Sequence, residues 1–248
     1  MIETTELPLA RRLELLQDDT ERLARTLETS DVSTPVVSCP GWTLGDLAYH
    51  VGEVHRFWTW IVREQIADPE AADRPKATDP PDDELASWLR AGVGELVPLL
   101  RSVDPATPVW SWAPQHEVAF VQRRMAHETS VHRWDAEDAV GIADAASPAD
   151  LASDGVSEYF FLATAERYPG HARIGLRATD TGHEWTGWLA GGRLQWSLGA
   201  CDAPGVLVGQ ASDLLLTLWR RREVGDSRVS LLGDRAAVTE FLALANLD

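Results

Sequence analysis

The 248-residue chain predicts a helical bundle followed by a smaller α+β domain, and three observations carry that expectation. Up to about residue 140 the apolar residues recur at helical spacing, as in Leu13, Leu16, Leu23 and Leu27. From about residue 147 the pattern changes to short β-like runs divided by turn residues. Just before the change, the stretch 123–140, RRMAHETSVHRWDAEDAV, reads as one helix with Glu128 and His132 four residues apart. An antiparallel four-helix bundle is therefore expected over residues 1–145 and an α+β domain over 146–248.

Each element has its own signal. Residues 6–29 form an amphipathic helix with Leu9, Leu13, Leu16, Leu23 and Leu27 on one side. Pro35, Pro40 and Gly41 make 31–42 a connection. Thr43 is a good N-cap, and Asp46, three residues on, is its weaker capping-box partner. The second helix runs to about 66, with Leu44, Leu47, Val51, Val54, Trp58 and Ile61 in a 3-4 rhythm. Residues 67–82 are a Pro- and Asp-rich loop. A third helix follows at about 82–103, interrupted by Gly92, Gly94 and Pro98. The loop 104–116 is rich in Pro and Trp and suits a pocket rim, and the fourth helix runs from about Glu117 to Val140.

Ser147 and Pro148 then open a helix to about 168. Strands are expected at Arg173–Ala178, Glu184–Leu189, Leu194–Leu198, Val206–Gly209 and Val229–Leu232, with a hairpin at Gly191–Gly192. A helix at 211–222 and a closing helix at 234–247, capped by Asp234, complete the set.

Composition narrows the function. The chain is 44% hydrophobic and 25% charged, enough to bury a core. With 22 basic and 39 acidic residues its formal charge is −17, which repels phosphate backbones and anionic membranes. Nucleic-acid and membrane partners are thus not expected. Two cysteines, Cys39 and Cys201, are too few for a disulfide framework. No signal-peptide pattern and no membrane-length apolar run is seen, so the expected location is the cytoplasm.

The chemistry centres on the fourth helix. Four residues advance a helix by about 400°, leaving Glu128 and His132 roughly 40° apart on one face. His127 is five residues from His132, about 140° round, so HExxxH here is not a zincin motif. If the second and fourth helices face each other, His50 comes opposite Glu128 and His132. Two imidazole nitrogens and one carboxylate oxygen are a catalytic type of zinc set, with one position left open. His55, five from His50, is directed elsewhere. Asp46 and Asp135 are both candidates to accept the other N–H of an imidazole.

Three stretches, CPGWTLGDLAYHV at 39–51, HETSVHRWD at 127–135 and ASDLLLTLWRRR at 211–222, together resemble the mycothiol-dependent maleylpyruvate isomerase family. The resemblance implies a DinB-like metal-binding bundle and a C-terminal domain similar to sterol carrier proteins. It implies zinc, or another divalent metal, on His50, Glu128 and His132, and mycothiol as thiol cosubstrate. It also implies a catalytic arginine matching Arg221. Where the family usually reads Leu-Trp-Gly-Arg, this chain has Leu218, Trp219, Arg220 and Arg221, so Arg220 replaces a glycine and becomes a second candidate for the cofactor-binding cation.

The function expected is a zinc-dependent thiol enzyme acting on a small electrophilic substrate, as a cis–trans isomerase or a thiol S-transferase. A metal-bound thiolate would add to an activated double bond, and Arg221 would pair with a carboxylate of substrate or cofactor. On that reading the active site lies between the two domains. Metal-dependent hydrolysis by zinc-bound water, and non-catalytic binding of a small ligand, are the alternatives. The protein is expected to be a monomer or homodimer.

Overall fold

A computed structural model describes residues 4–71, 77–142 and 145–247. The chain divides into two compact units, one of Pro8–Ala145 and one of Met1–Leu7 with Ala146–Asp248. The N-terminal residues are thus grouped with the second unit rather than with the bundle. Thr5 and Ser157 share a buried hydroxyl–hydroxyl hydrogen bond of 2.7 Å that ties them there. The expected boundary region 141–150 includes residues 143–144, which lie outside the described residues.

The first unit is built from four helices, α1 (Leu9–Thr29), α2 (Leu44–Arg63), α3 (Leu85–Ser102) and α4 (Val118–Ala139). Packing neighbours are α1 with α3 and α4, and α2 with α3 and α4. Directions follow from the contacts. His50 meets His132, His55 meets Thr129 and Trp58 meets Phe120, so α2 and α4 are antiparallel. Tyr49 stacks on Trp88 while Arg63 pairs with Glu95, so α2 and α3 are parallel. Asp19 pairs with Arg133 and Arg22 with Glu137, so α1 and α4 are parallel too. Two helices run each way, and parallel neighbours α2 and α3 require a long return connection, residues 64–84. The expected loop 67–82 falls partly on 72–76, outside the described residues.

The local reasons match the sequence. Thr43 accepts from the Asp46 backbone N–H and Asp46 accepts from the Thr43 backbone, a complete capping box that starts α2. Leu44, Leu47, Val51, Trp58 and Ile61 are buried along α2. Among the described residues, β pairing before residue 140 is limited to isolated bridges, Pro35 with Thr43 and Pro108 with Glu117. The fourth helix differs from its partners. Gln122, Arg124, His127, Thr129, Ser130, Arg133, Asp135 and Glu137 are all buried on it, beside Phe120, Met125 and Trp134. A helix buried nearly all round must find partners for those polar groups, and that requirement shapes the site.

The second unit holds α5 (Ala149–Ala163), β1 (Arg173–Ala178), β2 (Glu184–Ala190), β3 (Arg193–Leu198), β4 (Gly205–Gly209), α6 (Ala211–Leu218), β5 (Val229–Gly233) and α7 (Arg235–Leu244). The sheet order is β3-β2-β1-β4-β5, with only β1 and β4 parallel. The β2–β3 hairpin turns at Gly191 and Gly192, whose φ values of 61° and 77° suit a tight primed turn. Its core gathers Tyr159, Phe160, Trp185, Leu207 and Phe241.

Four helix bounds in this unit depart from expectation, one of them the end of the closing helix α7, at Leu244 rather than 247. Pro148, not Ser147, is the N-cap of α5, and the Ser147 backbone N–H is given to the Ser212 hydroxyl. The same helix stops at Ala163 rather than near 168. The expected 211–222 helix stops at Leu218. There the Arg220 N–H goes to the Thr217 carbonyl and the Arg221 N–H to the Leu216 carbonyl, with Arg220 at φ 61°. This is the left-handed helix stop that normally carries glycine. All three arginines therefore lie beyond the helix end.

Candidate metal centre

Helix α2 supplies His50 and helix α4 supplies Glu128 and His132. His50 Nε2 is 3.2 Å from Glu128 Oε1, and His132 Nε2 is 3.4 Å from the same oxygen. One donor atom from each of the three residues lies within 4.8 Å of the others. The two imidazoles meet edge to face, with ring centroids 5.1 Å apart. Donors bound tetrahedrally at about 2.0–2.1 Å stand roughly 3.3 Å from one another, so these separations fit a small ion of zinc type. The i,i+4 spacing on α4 and the antiparallel crossing of α2 bring the three side chains together as the sequence predicts.

The surroundings fit a metal as well. Asp135 Oδ2 is 2.9 Å from His132 Nδ1. That bond places a proton on Nδ1, so Nε2 is the ring nitrogen that faces Glu128 and His50 and can take either a proton or a metal. Of the two carboxylates nominated for this task, Asp135 performs it. Asp46 is committed to the capping box, where Thr43 backbone and hydroxyl groups hold its carboxyl below the ordinary value. Arg124 Nη2 donates to Glu128 Oε2 at 2.9 Å, so the second carboxylate oxygen is fixed while the first faces the imidazoles.

The electrostatics describe a site that wants a cation. Burial would raise the Glu128 carboxyl, but His132 and Arg124 outweigh it and hold it well below the usual carboxylate range. Burial would lower the His132 imidazole, but Glu128 and the Asp135 and Cys39 side chains raise it well above 6.5. Without a metal, a proton on His132 supplies the positive charge between two carboxylates.

The other histidines stay out of the cluster. His55 is fully buried, 2.8 Å from the Thr129 hydroxyl, and burial lowers its pKa to about 4. His127 is buried on another side of α4. The loop tryptophans expected to rim a pocket are elsewhere too. Trp110 and Trp112 pack on Phe57, Trp58 and Phe120. Trp58 lies eight residues past His50, roughly 12 Å along α2.

Three contributors were not foreseen. Trp42 packs against both imidazoles, its ring 5.0 Å from His50 and 6.4 Å from His132. Gly41, at φ 87°, makes the turn that presents it. Cys39 Sγ lies 3.5 Å from Asp135 Oδ2. Arg124 precedes Glu128 by one helical turn, a spacing that itself signals an ion pair.

The arginines beyond α6 separate by task. Both Nη atoms of Arg220 donate to backbone carbonyls, Nη1 to Thr217 and Leu218 and Nη2 to Leu242 and Ala245. Arg222 pairs with Asp213 at 2.8 Å and with Asp226 at 3.3 Å. Arg221 Nη1 donates to the Trp219 carbonyl at 2.9 Å.

Fold and cluster define the class: a four-helix bundle with a His–Glu–His cluster of metal-ligating groups, joined in one chain to an α+β unit. The sequence pattern of the mycothiol maleylpyruvate isomerase N-terminal domain matches residues 13–137, and the chain belongs to that family. The structure is similar to that of a mycothiol-dependent maleylpyruvate isomerase, with TM-score 0.63 and 16% identity over 92% of this chain and 95% of that one. A histidine-to-alanine mutant of mycothiol-dependent maleylpyruvate isomerase gives TM-score 0.59 and 17% identity, with the same coverage. At these identities the likeness is one of fold. No curated protein sequence matches the chain.

Proposed function

We propose that the protein is a divalent-metal-dependent thiol enzyme, with zinc on His50, Glu128 and His132 and a mycothiol-type thiol as cosubstrate. The observation that carries this reading is the convergence of two Nε2 atoms on Glu128 Oε1 at 3.2 and 3.4 Å. The family is named for mycothiol and for maleylpyruvate isomerase, which supports the thiol and the reaction class. Zinc, when bound, lowers the pKa of a coordinated thiol and favours its thiolate.

The chain's own residues do the rest. Asp135 fixes the His132 tautomer, and Arg124 turns Glu128 so that Oε1 faces the histidines. Trp42 packs against both imidazole rings. The reaction class is reversible addition of a thiol to a cis double bond conjugated to a carbonyl. A C–S bond forms as the π bond becomes single, rotation follows, and elimination returns the thiol and the trans alkene. An S-transferase would use the same first step and keep the C–S bond. Arg221 is proposed to pair with a carboxylate of substrate or thiol, because it stands at the position of the arginine that the family resemblance implies.

The test is metal analysis of the purified protein followed by product analysis with maleylpyruvate, with and without mycothiol. One equivalent of zinc and thiol-dependent trans product are expected. Arg221→Ala should retain zinc and lose most turnover. Metal-dependent product formed without thiol would favour hydrolysis instead, and a protein that takes up no divalent metal would end the metal reading.

A further inference from the structure

We infer that Cys39 is a positioning residue for this centre, acting through Asp135 on His132. The inference rests on the reading of the cluster as a metal site. One oxygen, Asp135 Oδ2, faces both His132 Nδ1 at 2.9 Å and Cys39 Sγ at 3.5 Å. Asp135 is 1% exposed, so hydrogen bonds rather than bulk water set its orientation.

The thiol is delivered by a rigid turn. The Cys39 N–H goes to the Val36 carbonyl, the Trp42 N–H to the Cys39 carbonyl, and the Val36 N–H to the Trp42 carbonyl. The same turn lays Trp42 beside His132. A thiol is a weak donor, so its contribution is one of direction. It resists rotation of the Asp135 carboxylate away from His132 Nδ1, and so keeps Nε2 aimed at Glu128 and His50. Cys39, His132 and Asp135 are close enough to hold an ion themselves. The 2.9 Å Nδ1–Oδ2 separation is instead that of an imidazole N–H given to a carboxylate, the usual outer support of a metal-bound histidine.

Two measurements test this, one with metal and one without. Zinc affinity is read by chelator competition in Cys39→Ala, Cys39→Ser, Asp135→Asn and the Cys39→Ala/Asp135→Asn pair. Cys39→Ala should weaken zinc about three- to tenfold, while Cys39→Ser, which keeps a donor, stays within about twofold. In the Asp135→Asn background the alanine change should cost much less, because the carboxylate it steadies is gone and only its own contact with the His132 ring remains. In metal-free protein, solvent exchange of the His132 Nδ1–H, followed by nitrogen-15 NMR, should speed up by a similar factor in Cys39→Ala and recover in Cys39→Ser. The His55 ring N–H should be unmoved and serves as the control for general loosening.

Unchanged exchange in Cys39→Ala overturns the inference whether or not the protein takes up zinc. An equal loss of affinity in both backgrounds does so as well. A sulfur-to-cobalt charge-transfer band in the cobalt protein that vanishes in Cys39→Ser also does so, since the thiol would then be a ligand. If wild-type protein takes up no zinc yet exchange responds as expected, the metal reading fails and the Cys39–Asp135–His132 link stands.

Discussion

Helix α4 carries two polar clusters, and they are built on opposite logic. Toward α1, Arg133 is fully buried and donates to Asp19 at 3.0 Å and to Glu137 at 2.8 Å, while Arg22 grips Glu137 from outside. Arg133 Nε and Nη1 and Arg22 Nε and Nη2 all donate to carboxylate oxygens, so in this cluster hydrogens meet acceptors. Toward α2, two imidazole nitrogens and a carboxylate oxygen point at a common space. Lone pairs that face one another need a shared cation, either a proton on His132 or a metal. Burial and charge alone do not tell a structural ion network from a metal-ready one. What does is whether hydrogens or lone pairs converge.

The largest expected effect tests that distinction directly. His132→Ala, His50→Ala or Glu128→Gln should remove stoichiometric zinc, read by atomic absorption after dialysis, with helix content unchanged by circular dichroism. Full zinc content in all three would sink the site. Arg133→Met should do the reverse. Removing one partner of a buried ion group leaves Asp19 without its main counter-charge, and such losses cost about 3–5 kcal/mol. Burial already raises the Asp19 carboxyl against the pull of Arg133, Ser130 and Arg22, so this loss adds to an existing penalty. Urea unfolding should show it, while zinc content of the folded fraction stays at wild-type level.

The clusters differ in how far the sequence revealed them. Glu128 and His132 could be read because i,i+4 spacing on a helix fixes which side chains share a face. His50 needed only the assumption that α2 and α4 touch. Trp42 and Cys39 were hidden because a Pro-Gly turn obeys no simple periodicity, so their side-chain directions depend on φ values such as the 87° of Gly41. The Asp19–Arg133–Glu137 network was hidden for another reason: in sequence its members look like solvated charges on amphipathic helices. The four-residue error at the end of α6 came from reading LLLTLWRRR as helical by propensity. The glycine expected by resemblance at position 220 was the available signal of a left-handed stop.

A third outcome separates two histidines at the α2–α4 interface by the sign of their pH dependence. His55 is fully buried and its pKa falls from 6.5 to about 4, so the unfolded chain binds the extra proton between those values. Its contribution is therefore full above about pH 6.5 and is lost as pH falls toward 4. Between pH 7 and pH 5 that loss is about 2 kcal/mol. His132 has the opposite sign in metal-free protein. Its pKa is raised, so its contribution is present below 6.5 and is lost as pH rises through the folded value. His55→Gln should flatten the stability difference between pH 7 and pH 5. A difference as steep as that of wild type would show that His55 does not bear the load.

The smallest effect concerns Arg220, and it reads backbone strain apart from side-chain bonding. Arg220 holds φ 61° at the end of α6, a conformation that costs an L-residue about 1 kcal/mol and glycine almost nothing. Its guanidinium offsets that cost by capping carbonyls of Thr217 and Leu218 at the end of α6, and of Leu242 and Ala245 at the end of α7. Arg220→Gly removes both strain and bonds, whereas Arg220→Ala removes the bonds and keeps the strain. Both should be less stable than wild type, with glycine the better of the two by about 1 kcal/mol. Zinc content should be untouched in each, because the carbonyls that Arg220 holds all belong to its own unit. Equal stability of the two variants would mean that the turn relaxes when the side chain is cut. Loss of thiol-dependent turnover in Arg220→Gly at wild-type stability would mean instead that its guanidinium serves substrate, and the division of labour between Arg220 and Arg221 would have to be reversed.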